Sequence, residues 1–133
     1  MKYFNILFFL FFLTAPSLAA LPPVSENERQ SNSSHVLEGE ILRIFTREKE
    51  KNENWSDDEL LLEIRVLGST KGELPPGSVI YTHCWVPHKR PKPWVGDSGL
   101  RPHPNEGDKG TFYAQRSPNG SYRLLHPNGW DRE

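Results

Sequence analysis

The chain has 133 residues, room for one domain, and a formal net charge of −1. That near-balance excludes a dedicated binder of nucleic acid or anionic membrane, which would show a strong basic excess. A lone cysteine, Cys84, excludes an internal disulfide, so stability has to come from closing a compact core.

In chain order, the first feature is an export leader. Lys2 supplies a positive start, Phe4 to Leu13 is an apolar run, and Ser17-Leu18-Ala19 gives small residues at −3 and −1 of a cleavage point before Ala20. The run is too short to span a bilayer and no second one follows. Residues 1–19 are therefore expected to be a signal peptide, and the protein secreted or periplasmic, without a membrane span after cleavage. Residues 20–34 turn polar and rich in Pro, Ser and Asn. Such a segment buries too little apolar surface to offset its ordering entropy and reads as a disordered linker. The folded domain is expected over 35–133.

The first strand starts near His35. Val36, Leu42 and Ile44 fall on one alternating face and Leu37, Ile41 and Phe45 on the other, with Gly39 marking a bulge or bend. Thr46 to Asp58 reads as a charged turn region. The next segment carries two patterns. Ser56 to Glu59 matches a helix capping box with Leu60, Leu61, Ile64 and Leu67 as a stripe. Leu60, Leu62, Ile64 and Val66 alternate equally well as a strand. Gly68 ends the run early and hairpin-like segments surround it, which favours the strand.

Gly72 to Gly77 is a turn, its Pro-Pro-Gly suited to type II geometry. The third strand, Ser78 to Val86, puts Ile80, Thr82, Cys84 and Val86 on a core face, with Val79, Tyr81, His83 and Trp85 on the opposite one. Pro87 to Gly110 is a long loop rich in Pro and Gly, where regular structure is disfavoured. Trp94, Val95 and Leu100 imply that it packs back onto the domain. Thr111 to Arg116 and Ser121 to Leu125 make the last hairpin around Ser117-Pro118-Asn119-Gly120, and Trp130 reads as a plug for an open end. The fold class that follows is mainly all-β: a small five-stranded antiparallel OB-like barrel with one long Pro/Gly-rich loop.

The order of short motifs carries a resemblance. Glu38-Gly39-Glu40-Ile41 is followed by Leu62-Glu63-Ile64-Arg65-Val66, Lys71-Gly72 and Pro76-Gly77-Ser78-Val79-Ile80. Gly107-Asp108 then precedes Phe112-Tyr113 and Gly120-Ser121-Tyr122. From His35 to Trp130 the chain resembles the netrin-like modules, secreted OB barrels also found in the tissue inhibitors of metalloproteinases. It also resembles small exported bacterial proteins that end in Pro-Asn-Gly-Trp. The inhibitors use an N-terminal cysteine on the target's zinc, held in a disulfide framework. This chain has neither, so the resemblance does not extend to protease inhibition.

Two constellations compete as the site. His83, Cys84, His88 and His103 are metal-ligand types, but adjacent strand residues point to opposite faces, and no ligand spacing is present. A reactive Cys84 would need exposure beside a base, whereas Ile80, Thr82 and Val86 surround it with apolar chain. The Gly-x-Ser-x-Gly, His-Glu-x-x-His and phosphate-loop motifs are absent. Tyr81, His83, Trp85, Lys89, Arg90, Trp94 and Arg101 instead interleave aromatic and cationic groups, suited to stacking on sugars and holding a sulfate or carboxylate. Trp85 and Trp94 as core residues are the other reading of the same stretch. The expected function is an exported, non-catalytic binding or interaction module. It would be monomeric, without metal or cofactor, and its partner would be a protein or glycan and not nucleic acid. The alternative is a small metal-binding or thiol-dependent protein built on Cys84 and the histidines.

Overall fold

A computed structural model describes residues 22–94, 96 and 99–133. The leader read over 1–19 and the packing expected of Val95 lie outside the described residues. One helix, α1 (Glu26–Asn32), precedes six strands: β1 (His35–Asn52), β2 (Trp55–Lys71), β3 (Val79–Lys89), β4 (Lys109–Arg116), β5 (Tyr122–Leu124) and β6 (Trp130–Arg132). The sheet runs β1-β2-β3-β5-β4-β6, and an added β1–β4 pairing closes the first five strands into a ring. The molecule is all-β and barrel-like, in the five-stranded closed order expected of an OB-like barrel. Two details differ from expectation. β3 pairs β5 in parallel, at Thr82 with Tyr122 and His83 with Arg123, while every other pairing is antiparallel. A sixth short strand, β6, lies along β4 beside β5, pairing Phe112 with Trp130.

β1 forms the seam because it bends. Its register slips between Glu38 and Gly39 and again between Ile41 and Arg43, so the simple alternation breaks. Val36, Leu37 and Ile41 are all buried, whereas Phe45 is exposed. The bend lets Gly39 face Val66 of β2 and Gly110 of β4 together. A Cβ at Gly39 would lie 2.5 Å from the Ile64 side chain, so only glycine fits this crossing.

The 57–67 segment is strand, not helix. Leu60, Leu62, Ile64 and Val66 point inward and are at most 4% exposed, and they pair along their whole length with β3 or β1. The inward face of β3 is the expected one, with Ile80, Thr82, Cys84 and Val86 buried. Between these strands the Pro75-Pro76-Gly77-Ser78 turn closes with Ser78 N–H donating to the Pro75 carbonyl at 3.1 Å. Gly77 takes φ 87°, the left-handed position that type II turns reserve for glycine.

Two stretches read as irregular are ordered. Thr46 to Asp58 is no turn region: β1 and β2 run through it, and the turn itself is confined to Glu53-Asn54. The charges that suggested a loop pair across the ladder instead, Arg47 and Lys49 with Glu59 and Lys51 with Asp57. Residues 22–34 are not a disordered linker. Ser25 caps α1 by accepting from Glu28 N–H at 3.3 Å, and the buried Arg29 donates to the Asn128 carbonyl at 3.0 Å and to Asp131 at 2.8 Å. Its guanidinium also lies 4.4 Å from the Tyr113 ring. Val24 and Asn128 exchange two hydrogen bonds, at 2.8 and 2.9 Å. The composition argument counts apolar burial, whereas this segment is held by polar groups.

The long loop after β3 packs as expected at Leu100, which is 2% exposed and donates its N–H to the Trp85 carbonyl at 2.9 Å. Trp130 is fully buried, stacked on Phe112 at 5.5 Å with an interplanar angle of 10°. Its indole N–H donates to the Pro102 carbonyl at 2.8 Å, tying the loop to the closed end. Among the described residues no helix is long and apolar enough to cross a membrane.

Candidate functional site

The odd-numbered residues of β2 and β3 point away from the core because successive strand side chains alternate. Asp57 and Glu59 on β2, with His83 and Trp85 on β3, therefore share the outer face, and the ladder sets Glu59 directly opposite Trp85. The chain after β3 returns over this face. The result is an open groove of about 700 Å³ between the β1–β2 hairpin end and the β4–β5 turn.

One wall is built on Arg90. The guanidinium donates to the Ser56 carbonyl at 2.6 Å and the Lys89 carbonyl at 2.9 Å, and it pairs with Asp57. Three indoles surround it, Trp94 at 5.1 Å, Trp55 at 5.7 Å and Trp85 at 6.0 Å. Trp55 and Trp94 lean on each other at 5.0 Å and 56°, and Lys51 Nζ lies 4.6 Å from the Trp55 ring. Arg90 and Asp57 side chains are 12% and 11% exposed. A planar cation among aromatic faces is a favourable electrostatic arrangement, and it gathers the three tryptophans into one shelf. Trp94 remains 36% exposed, so part of that shelf faces solvent.

The opposite wall is polar. Asn119 and Ser121 come from the β4–β5 turn and Arg123 from β5. Asn119 Oδ1 accepts from both Ser121 N–H and Oγ, at 3.1 and 2.7 Å, which holds that turn. His126 stacks on Trp85 at 5.7 Å and 18°, and its Nε2 accepts the Trp85 N–H at 3.4 Å.

Of the residues expected to bind, the fold brings His83, Trp85, Arg90 and Trp94 into this groove. Tyr81 is exposed on the same face farther along β3, outside the lining. Lys89 is exposed and gives the groove only its carbonyl. Arg101 lies elsewhere, its N–H donating to the Pro127 carbonyl at 2.7 Å. The sequence offers Arg90 as an anion-binding cation; in the fold its two terminal nitrogens donate to Asp57 and to the Ser56 and Lys89 carbonyls, while its buried Nε has no hydrogen-bond partner among the described residues. Sequence reasoning misses Trp55, Lys49, Lys51 and Arg123. Trp55 is hidden by the polar run around it, although an isolated tryptophan between charged residues is itself a signal.

The thiol of Cys84 lies beneath the groove, 5% exposed, and burial pushes its pKa up to about 12. A thiol with such a pKa is protonated at neutral pH. Among the described residues no group of three His, Cys, Asp or Glu side chains is placed to hold a metal ion.

His88 sits at the edge of this region, its Nδ1 3.1 Å from Asp58 and its Nε2 3.7 Å from Glu48. The hydrogen bond to Asp58, and then the charges of Asp58 and Glu48, raise its pKa above 6.5. Because the folded value is the higher one, the stabilisation is present in full below the unfolded value. It is lost as pH rises through the folded pKa. A histidine NMR titration is expected to give His88 a midpoint above the free value, returning toward it in Asp58→Asn. An unchanged midpoint in that variant would remove Asp58 as the cause.

In comparisons with known proteins, no family model matches the chain, and neither a curated protein nor a solved structure matches it.

Proposed function

We propose that the chain is an exported, non-catalytic binding module of the netrin-like kind that holds a glycan in the tryptophan-lined groove. The observation that carries this is the groove's position and lining together. It lies on the outer face of β2 and β3, between the β1–β2 and β4–β5 turns, the surface on which OB barrels take oligosaccharides and oligonucleotides. An indole shelf facing a rim of hydroxyl, amide and charged groups suits a sugar, which has apolar ring faces and a polar edge. The buried, protonated Cys84 argues against a thiol-dependent activity, and the export rests on the leader at 1–19, tested by an intact mass that starts at Ala20.

Titration with neutral and acidic oligosaccharides, followed by tryptophan fluorescence, tests the reading. Trp94→Ala is expected to weaken binding by about tenfold, the equivalent of ~1.4 kcal/mol of lost stacking. Equal affinity in wild type and variant would remove Trp94 from the site. A protein ligand would use the exposed Phe45, Leu67, Val79 and Tyr81 instead. In that case Tyr81→Ser, outside the groove, would be the substitution that weakens binding.

A further inference from the structure

The charge inside the groove runs opposite to the charge of the chain. Among the described residues, Lys49, Lys51, Arg90 and Arg123 line it against two carboxylates, Asp57 and Glu59, although the chain as a whole carries −1. Both carboxylates are already satisfied. Asp57 pairs with Arg90 and lies 3.4 Å from Lys51. Glu59 pairs with Arg47 at 2.5 Å and Lys49 at 3.5 Å. Arg123 is exposed on the facing wall and forms no ion pair among the described residues. Its cross-strand neighbours are His83 on β3 and Gln115 on β4, so no acid stands opposite it in the ladder.

We propose that the groove is specific for an acidic glycan, one bearing carboxylate or sulfate groups, with Arg123 as the residue that reads the anion. The inference rests on the glycan reading of the same groove and adds the ligand's charge. Arg47, Lys49, Lys51 and Arg90 are each engaged by Glu59 or Asp57, which leaves Arg123 as the lining cation without an ion pair among the described residues. A sugar ring lying on Trp94 spans the groove toward that wall and presents its exocyclic acid to the guanidinium. A charge-assisted, two-pronged contact of this type is stronger and more directional than one to a neutral hydroxyl. Positive potential focused in a groove of a slightly acidic protein also selects for anions before contact. A nucleic-acid strand would demand a track of several free cations, whereas among the described residues Lys49, Lys51 and Arg90 are each held by a carboxylate.

The test uses the full mature protein, a galacturonate trisaccharide with its neutral methyl ester, a sulfated chondroitin hexasaccharide with its desulfated and esterified form, and a short oligothymidylate. Affinity is read by tryptophan fluorescence at low and high salt. At least one acid is expected to bind about tenfold tighter than its neutral counterpart, a gain typical of one charged contact, and to lose that gain in high salt. Arg123→Gln is expected to abolish the preference and Arg123→Lys to restore part of it, with thermal unfolding confirming that both variants fold. Equal affinity for an acid and its neutral form, with Trp94→Ala still weakening both, overturns the charge inference and leaves the glycan reading standing. No binding by any saccharide overturns both. Tighter binding of oligothymidylate than of either acid overturns them in favour of nucleic acid.

Discussion

Replacing Trp130 with alanine is expected to destabilise the domain by about 3–5 kcal/mol, the range for truncating a buried aromatic to a cavity. Trp130 is 0% exposed, so none of its volume can be replaced by solvent without opening the barrel. Three attachments go with the ring: the stack on Phe112, the N–H bond to the Pro102 carbonyl, and the Arg132 guanidinium 5.2 Å above its face. Domains of this size have a total stability of roughly 5–15 kcal/mol, so the variant is expected to be partly unfolded near its growth temperature. Trp130→Phe separates the contributions. It keeps most of the packing but leaves the Pro102 carbonyl without its donor, which costs about 1 kcal/mol. Chemical denaturation of the three proteins decides the matter. A loss under about 1 kcal/mol for the alanine variant would mean that β6 is not part of the cooperative core.

Arg90→Ala is the second substitution with a large expected effect, and it acts on stability and binding together. Asp57 would be left with only Lys51, and three indoles would lose the cation they surround. Breaking a buried pair leaves an uncompensated charge, and a loss of about 2–4 kcal/mol is expected, slightly below the range for fully buried pairs because Lys51 remains. Arg90→Lys is expected to recover little. One ammonium cannot reach the Ser56 carbonyl, the Lys89 carbonyl and Asp57 at once while lying flat among the rings. Near-UV circular dichroism should report the disordered tryptophans directly. A double-mutant cycle with Asp57→Asn should give a coupling of about 1–3 kcal/mol. A coupling near zero would show that the aromatic contacts, and not the ion pair, hold Arg90.

Those two residues also mark how far the sequence could be read. The β3 alternation of Ile80, Thr82, Cys84 and Val86 was legible because burial on one face of a strand writes a period of two. The Pro-Pro-Gly and Pro-Asn-Gly turns were legible because few backbones tolerate those residues elsewhere. The distal halves of β1 and β2 were not. Their outward faces are stabilised by Arg47, Lys49, Lys51, Asp57 and Glu59 pairing across strands, and cross-strand charge looks like loop composition until the partner strand is known. Concealing the hairpin concealed Trp55 with it. Helix α1 escaped for a related reason, since Arg29 finds Tyr113, Asn128 and Asp131 only after the barrel exists. Arg90 was visible as part of the site, but a list of cations does not say which of them is already neutralised.

The closing of β1 onto β4 has a consequence in time. His35 must find Ala114 and Glu40 must find Lys109, and Val24 must find Asn128, 104 positions away. Such distant pairings have to overcome the entropy of a long loop before any contact rewards it, and barrels of this type fold in milliseconds to seconds where helical bundles take microseconds. β1, β2 and β3 form a continuous meander of near neighbours. β4, β5 and β6 complete the ring only once the last quarter of the chain is available. A chain that still lacks its last three strands can form no more than an open three-stranded sheet. β4 covers only His35 to Glu40 of β1, so the far stretch Arg47-Glu48-Lys49-Glu50-Lys51, paired with β2 alone, keeps an open edge after the ring has closed, and its run of charges keeps two folded copies from joining there.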